Sequence, residues 1–434
     1  MLRTLIKSLP GLIGQKVIVA GFAQVVRNQK RTQFVVLRDH TGQVQLFHEN
    51  KGEEEGLRSA ILSLTQESAV IATGTIVDNP SVKLGGIEIV LDSIEVVGPA
   101  ETPLPINETS TADLQLDWRA LGLRRPENAL IFRVQTTLEA GMREYWAQQG
   151  FLEIHSPKLM GTASESGAEL FQLEYFGKRA SLAQSPQFYK QMAMAAGLDK
   201  IFEIGPVFRA NPSFTSRHDT EFTSVDVEIS WINSHEDVMA FEERLLQYAI
   251  ATVARAHGEE IRQRFGVEVI VPQLPFPRIT LADARSILAE RGHHIDHKAD
   301  LDPPGERGIA EYIKEKYGHE FVFVTDYPTE VRPFYHRRHE DDQSLTNSFD
   351  LLWKGLEVTT GAQREHRVDI LSRQAEEKGV PLESIKYYLD FFRYGCPPHG
   401  GFGAGLTRLL MVLLDRKNVR EVTFLYRGPN RLTP

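Results

Sequence analysis

Two strand-like segments, Ile201 to Arg209 (IFEIGPVFR) and Glu221 to Trp231 (EFTSVDVEISW), are separated by only eleven residues. No other feature limits the fold as much. A parallel pair needs a crossover of a dozen or more residues, usually a helix, so these two are expected to run antiparallel. Phe321 to Thr325 and Ser348 to Thr360 read as further strands. Glu127 to Gln149 carries Ile131, Val134, Leu138, Met142 and Tyr145 at three- and four-residue spacing, an amphipathic helix that Gly150 would stop. Ser234, with Asp237 three residues on, would cap a helix running to about Ala256. Leu382 to Tyr394 and Leu406 to Leu414 read as helices, the second preceded by Gly400, Gly401, Gly403 and Gly405. Residues 127–434 therefore read as one α+β domain with a largely antiparallel sheet flanked by helices.

The N-terminal part has a different pattern. Short strand signals at Val17 to Gly21, Gln33 to Asp39, Val44 to Phe47, Val70 to Val77 and Ile87 to Val97 predict a small all-β barrel over residues 1–98. One helix is expected within Gly52 to Gln66. Pro99, Pro103, Pro105 and the Arg124–Arg125–Pro126 run mark residues 99–126 as a hinge or linker. A chain of 434 residues exceeds one ordinary core, so a multidomain reading agrees with its length.

Composition removes several function classes. No run of 18 apolar residues occurs, which argues against a membrane-spanning helix. The start, MLRTLIKSLPGLIG, has one short apolar patch and no small-residue cleavage site, so no secretory signal is expected. Cys396 is the single cysteine, which excludes an intrachain disulfide and any multi-cysteine metal site and fits a reducing cytoplasm. Lys and Arg number 49 against 58 Asp and Glu, so the net charge of −9 disfavours nucleic-acid coating by bulk charge while permitting local basic surface. The glycine run GGFGAG at 400–405 does not match GxGxxG, and no GxxxxGK[ST] is present.

Three ordered segments carry a resemblance. GFLEIHSPKL at 150–159, FEIGPVFRANPSFTSRHDTEFTSVDVE at 202–228 and GGFGAGLTRLLMVLL at 400–414 resemble motifs 1, 2 and 3 of the class II aminoacyl-tRNA synthetases. FVVLRD at 34–39 and VQLF at 44–47 look like the anticodon-binding OB-fold of the Asp/Asn/Lys subgroup. LAQSPQFYKQ at 182–191, TDYPTEVRPFY at 325–335, GLEVTTGAQREH at 355–366 and the terminal NRLTP resemble the archaeal type of aspartyl-tRNA synthetases. An asparaginyl enzyme would usually lack the Arg-Pro-Phe-Tyr and Gly-Ala-Gln-Arg pattern. A short asparagine-synthetase-like paralogue would lack the OB domain, and the bacterial type would carry a large insertion.

The resemblance implies roles residue by residue. Arg209, Arg217 and Arg408 would be the catalytic cations on ATP, with His218 beside them, Phe222 under adenine and Glu221 on its amino group. Asp350 and Glu357 would ligate Mg²⁺, the one cofactor implied, with ATP and L-aspartate as substrates. Arg364 and Lys190 would clamp the aspartate side-chain carboxylate, Asp226 would orient them, and Glu169, Ser185 and Gln187 would hold the ammonium end. In the OB domain Phe34 would stack on an anticodon base, Gln45 and Glu88 would read the central uridine, and Arg27 and Arg38 would contact backbone or base. By residue type alone, Arg209 also suits a surface ion pair, Phe222 and Phe34 suit core packing, and Asp350 and Glu357 are merely two acids seven apart. Motif 1, with Pro157, implies a homodimer.

Two departures stand out. Motif 3 commonly has an acid where this chain has Thr407, and Gly428 stands where an acid is common. Strict archaeal forms tend to carry a tryptophan near the first OB strand and a lysine in a later loop; here those positions read as Gln24 and about Pro80. A proline there resembles the relaxed kind, which aspartylates tRNA(Asp) and tRNA(Asn) and is coupled to an amidotransferase, while Gln24 fits neither pattern. A strict enzyme, a tRNA-binding paralogue without catalysis, and an aminoacylating paralogue in a specialised pathway are the alternatives.

Overall fold

The computed structural model describes residues 2–50, 55–162, 169–212 and 215–434. They form two compact units, Met1–Ala129 and Leu130–Pro434.

In the first unit β1 (Lys16–Asn28), β2 (Thr32–Asp39), β3 (Gly42–Glu49), β4 (Ala69–Asp78) and β5 (Ile87–Gly98) close into a barrel in the order β1-β2-β3-β5-β4. A helix, α1 (Glu55–Leu62), follows β3. Strand alternation decides which side chains fill the barrel. Val35 and Leu37 of β2 and Val44 and Leu46 of β3 are fully buried, each contributing about 1.5–3 kcal/mol of burial. Their alternates, Phe34 and Val36 on β2 and Gln45 and Phe47 on β3, are half-buried on the outer face. Phe34 is therefore not barrel core. The segment 99–126 is not a bare linker: it carries α2 (Ala112–Asp117) and α3 (Arg119–Gly122). Thr111 caps α2 by accepting from the Leu114 N–H, and Leu116 is buried, which gives this proline-marked stretch its own order.

In the second unit the strands are β6 (Leu152–Glu153), β7 (Leu159–Met160), β8 (Gln172–Tyr175), β9 (Lys178–Leu182), β10 (Lys200–Phe208), β11 (Glu221–Ser230), β12 (Arg278–Thr280), β13 (Phe321–Thr325), β14 (Ser348–Trp353), β15 (Leu356–Arg364) and β16 (His399–Gly405). Eight make the main sheet, in the order β12-β13-β14-β15-β16-β11-β10-β6. Its central neighbours are antiparallel, as the eleven-residue connection requires, and only the edge pairs β6–β10 and β12–β13 are parallel. A small sheet, β7-β9-β8, stands apart.

The helices are α4 (Pro126–Gln148), α5 (Gln187–Ala195), α6 (His235–Phe265), α7 (Leu281–Glu290), α8 (Pro303–Tyr317), α9 (Val368–Glu377), α10 (Lys386–Phe392), α11 (Leu406–Leu413) and the short α12 (Val419–Val422). Trp146 of α4 is fully buried and stacks on Phe202 of β10 with ring centroids 4.1 Å apart. Ser234 and Asp237 form the expected capping box of α6, but the helix continues past Ala256 to Phe265. Its polar last turns are held by the buried Ile261 and by Glu260, which pairs with Arg133 at 2.7 Å and Arg264 at 2.8 Å. Leu382 to Tyr394 is not one helix: a 3₁₀ turn, Leu382–Ile385, leads into α10.

Candidate active site

The amino-acid end of the site is built on strand periodicity. Asp226 and Glu228, two apart on β11, share one face. Opposite them on β16 stand Gly403 and Gly401. A Cβ at Gly401 would lie 2.0 Å from the Val227 carbonyl oxygen and 2.3 Å from Glu228 Oε2, so only glycine leaves room for the carboxylate. The glycine run is thus a sheet floor rather than a phosphate loop.

Two cations close over these acids. Lys190, from α5, sits 3.0 Å from Asp226 Oδ1 and 3.4 Å from Glu228 Oε2, and donates to the Phe402 carbonyl at 3.2 Å. Arg364, at the end of β15, donates from Nε to Glu228 Oε1 at 3.0 Å and from Nη2 to the Gly401 carbonyl at 2.9 Å. Its Nη1 lies 3.0 Å from His336 Nε2. Arginine has no acceptor, so that nitrogen accepts and the imidazole proton sits on Nδ1. Burial, with Arg364 and Arg332 nearby, pushes the His336 pKa well below its ordinary value and keeps the ring neutral. Burial would raise the Glu228 carboxyl, but the charges of Arg364 and Lys190 outweigh it and hold it below the usual range. Ser224 Oγ donates to Asp226 Oδ2 at 2.5 Å. Lys190 is 1% exposed and Arg364 3%, so breaking this pairing strands a buried charge.

Ser185 and Gln187 line the same cavity of about 330 Å³, as does Glu169. Ser185 Oγ accepts from the Gln187 N–H at 3.2 Å, and Gln187 Nε2 donates to Gln191 Oε1 at 2.9 Å. Glu169 has φ +56°, and its carbonyl accepts from the Ala210 N–H at 2.8 Å.

The nucleotide end lies along the same cavity, where Arg209, Arg217, His218, Phe222, Glu357 and Arg408 line the wall. Arg209 directly follows β10, and its guanidinium stands 5.5 Å from the Phe222 ring centroid. Arg217 Nη1 donates to Glu306 Oε2 at 2.9 Å. Arg408 Nη1 donates to the Glu357 carbonyl at 3.0 Å and lies 3.5 Å from its Oε1. His218 is bonded to the Thr215 hydroxyl, and burial together with the charges of Arg408 and Arg217 lowers its pKa. It is a neutral group among arginines rather than a further cation. Glu221 is not brought into this cavity. It is exposed at the start of β11 and faces a separate depression with Thr223 and Leu406, because alternation turns it away from Phe222 and Ser224.

The two metal candidates are unequal. Lys354 and Gly355, at φ +50° and +80°, make the tight return between β14 and β15. Opposite Leu351 and Leu352 the register shifts by one residue, Val358 of β15, and this lets Glu357 and Thr360 share a face, where Thr360 Oγ1 donates to Glu357 Oε1 at 3.1 Å. Glu357 faces the cavity, whereas Asp350 is buried and not part of its lining. Asp350 Oδ2 accepts from Arg332 Nη2 at 2.7 Å, while Oδ1 is enclosed without a hydrogen-bond partner. Burial, opposed by Arg332 and reinforced by Glu357, pushes its pKa up to about 7. Among the described residues no group of three or more His, Cys, Asp or Glu side chains could hold a metal. Mg²⁺ usually takes one or two carboxylates plus phosphates and water, so Glu357 and the orphaned Asp350 Oδ1 fit that sparser demand.

On the barrel, Gln24, Arg27, Phe34, Gln45, Phe47 and Glu88 line one outer cavity. The Phe34 and Phe47 rings are 5.4 Å apart. Gln45 Nε2 donates to Glu88 Oε2 at 2.8 Å, and Asn79 Nδ2 to Oε1 at 2.9 Å. Gln43 Nε2 donates to Gln24 Oε1 at 2.5 Å. Two expected residues are elsewhere. Arg38 is buried and donates from Nη2 to both Glu67 oxygens, at 2.9 and 2.8 Å, so it serves the barrel's own structure. Pro80 is exposed in the turn before Ser81 and does not line the cavity; Asn79, Ser81 and Lys83 do.

Glu228, His336, Arg332 and Asp219 are site residues that sequence reading overlooked. For Glu228 the signal was present, since a strand period of two sets it on the Asp226 face.

Comparison with known proteins gives the same picture. The family model of tRNA synthetases class II (D, K and N) matches residues 111–427, and that of the OB-fold nucleic acid binding domain matches 17–97. The chain is 43% identical over 427 residues to the aspartate–tRNA(Asp) ligase of Pyrococcus abyssi, covering 98% of this chain and 97% of that protein. It is 41% identical over 439 residues to the aspartate–tRNA(Asp/Asn) ligase of Aeropyrum pernix, covering 99% and 98%. The asparaginyl-tRNA synthetase of Pyrococcus horikoshii, solved with asparaginyl-adenylate, superposes with a TM-score of 0.92 at 32% identity over the whole of both chains. One architecture thus serves neighbours named for different amino acids, so side chains rather than fold must distinguish them. On sequence, domain order and fold together, the chain belongs to the class II tRNA synthetases of the D, K and N group, in their archaeal type.

Proposed function

We propose that this chain joins aspartate to tRNA in two ATP-dependent steps. The α-carboxylate of aspartate attacks the α-phosphorus of ATP, pyrophosphate leaves and aspartyl-adenylate remains. The 3′-hydroxyl of the terminal adenosine of tRNA then attacks the activated carbonyl, releasing AMP. The observation that carries this reading is the buried Lys190–Arg364 pair on its Asp226–Glu228 floor, open to a cavity whose other end is lined by arginines. A substrate carboxylate meets two cations already held in place. Their N–H donors call for an acceptor, and an amide would turn N–H donors of its own against them in a site shielded from water.

Arg209 suits the α-phosphate, where its fork would stabilise charge as the phosphoryl centre is attacked. Arg217 and Arg408 suit the outer phosphates, and Phe222 the adenine face. Glu169, Ser185 and Gln187 suit the ammonium group. Glu357 with Asp350 would hold Mg²⁺, which when bound neutralises phosphate charge. Positioning does the rest, and no protein nucleophile is needed.

For tRNA, the open Phe34 and Phe47 rings suit stacking, and the Gln45–Glu88 pair suits base edges. Relaxed use of tRNA(Asp) and tRNA(Asn) is the preferred specificity, supported by Pro80, which stands in the turn between Asn79 and Ser81 of the barrel-wall cavity. An amidotransferase would then convert the product on tRNA(Asn). A homodimer through motif 1 accords with Leu152, Pro157 and Leu159, all exposed. The activity belongs in the cytoplasm, where its substrates meet; no helix among the described residues is long and apolar enough to cross a membrane.

Aspartylation of separate tRNA(Asp) and tRNA(Asn) transcripts with labelled aspartate tests the proposal. Comparable labelling of both is expected. Labelling of tRNA(Asp) alone would make the enzyme strict, and labelling of neither would overturn the reading.

A further inference from the structure

Arg364 has partners of different kinds: a carboxylate, a backbone carbonyl and an imidazole. Its Nε and Nη2 donate to Glu228 Oε1 and the Gly401 carbonyl, at 3.0 and 2.9 Å. Its Nη1 lies 3.0 Å from Nε2 of His336, on the segment between β13 and β14. That segment is strapped to the end of β15. His336 pairs with Arg364 in an antiparallel bridge. The Arg337 N–H donates to the Gln363 carbonyl at 3.0 Å, and the Glu365 N–H to the Tyr335 carbonyl at 2.9 Å. Gln374 of α9 donates from Nε2 to the Phe334 and His336 carbonyls, at 2.6 and 3.0 Å. The imidazole is 2% exposed, and the backbone that carries it is fixed to the backbone that carries Arg364.

Its two nitrogens are not paired as packing alone would pair them. Nε2 faces a donor and must accept, so the proton is on Nδ1. Nδ1 is enclosed and has no hydrogen-bond partner among the described residues. A buried histidine serving only the core is expected to satisfy its donor. Here the donor goes without, and the acceptor is aimed at the guanidinium that meets the substrate carboxylate.

An uncharged acceptor also suits the charges around it. Lys190 and Arg364 already face Asp226 and Glu228. A third acid at 336 would orient Arg364 but repel an incoming carboxylate. A neutral nitrogen holds the guanidinium and leaves its charge for the ligand.

We propose that His336 is the positioning residue for Arg364. As an uncharged acceptor on Nη1 it sets the guanidinium's orientation toward the substrate carboxylate, and with it the preference for aspartate over asparagine. The inference rests on the carboxylate-binding role given to Arg364 above.

The test measures ATP–pyrophosphate exchange with aspartate and with asparagine in the full-length wild type, His336→Leu, His336→Asn and His336→Gln. A glutamine amide oxygen can reach the place of Nε2, an asparagine amide stops short of it, and leucine has no acceptor. His336→Leu and His336→Asn are expected to raise the KM for aspartate about tenfold, the scale of a hydrogen bond to a charged group. The KM for ATP should move less than about twofold, and the aspartate-to-asparagine ratio of kcat/KM should fall about tenfold. His336→Gln is expected to recover most of both losses. A packing role would not produce that recovery, since glutamine fills the space of an imidazole no better than the other two. If His336→Leu fails to fold, the contrast between His336→Asn and His336→Gln still decides. In a wild type that prefers aspartate, an unchanged aspartate KM in His336→Asn, or no recovery in His336→Gln, would overturn the proposal alone. A wild type that exchanges as well with asparagine as with aspartate would overturn the functional reading, and this proposal with it.

Discussion

The two ends of the cavity hold their cations differently. At the amino-acid end Lys190 and Arg364 are enclosed and share Glu228. At the nucleotide end the Arg217 and Arg408 side chains are 21% and 22% exposed, tied to Glu306 and Glu357. The first end is balanced before any ligand arrives, and its charges depend on one another. The second is looser and takes its balancing charge from a polyanion. Selectivity and stability are therefore joined at one end and separable at the other.

The largest expected effect breaks that joint. Arg364→Leu leaves Glu228 with Lys190 alone. It should cost about 3–5 kcal/mol of stability in denaturant melts. Aspartate-dependent exchange should fall about 10³-fold or more. An unchanged melt would mean the amino-acid end is not a coupled network. Next comes Arg209→Ala, for which a drop of about 10²–10³ in the exchange kcat is expected with little change in melting. Loss of stability matching that of Arg364→Leu would erase the distinction between the ends. A smaller change is expected for Arg217→Ala, a rise of about tenfold or less in the KM for ATP in exchange kinetics, since its ion pair with Glu306 is partly solvated. The smallest effect at the site should come from Glu242→Gln, beneath the sheet. Glu242 is fully buried, and burial pushes its pKa up to about 8 against a hydrogen bond from Thr359. The folded chain keeps a proton that the unfolded chain releases, so wild-type stability falls as pH rises from the ordinary carboxyl range to about 8. Glutamine removes that loss. The variant should match wild type near pH 4 and be more stable by at least about 1 kcal/mol at pH 8, as thermal melts would read.

How much was legible in the sequence follows from the kind of contact involved. Short-range pattern told most of the fold: the eleven-residue spacing gives the antiparallel β10–β11 pair, and Ser234 with Asp237 gives the start of α6. The end of α6 was hidden because an ion pair from Arg133 of α4, remote in sequence, helps hold its polar turns. Arg209, Lys190, Asp226 and Arg364 were found through their motifs, and all reach one cavity. Arg38 and Glu221 were misjudged for local reasons: one is drawn inward by Glu67, the other is turned away by strand alternation. His336 carried no usable signal, since its bond to Arg364 joins segments distant in sequence.

Pyrophosphate exchange by the wild-type protein with aspartate or asparagine as the sole amino acid tests the central claim most directly. The account predicts exchange with aspartate exceeding that with asparagine by about 10³-fold or more. Equal or greater exchange with asparagine would contradict it, because the buried Lys190–Arg364 pair would then not be reading a carboxylate.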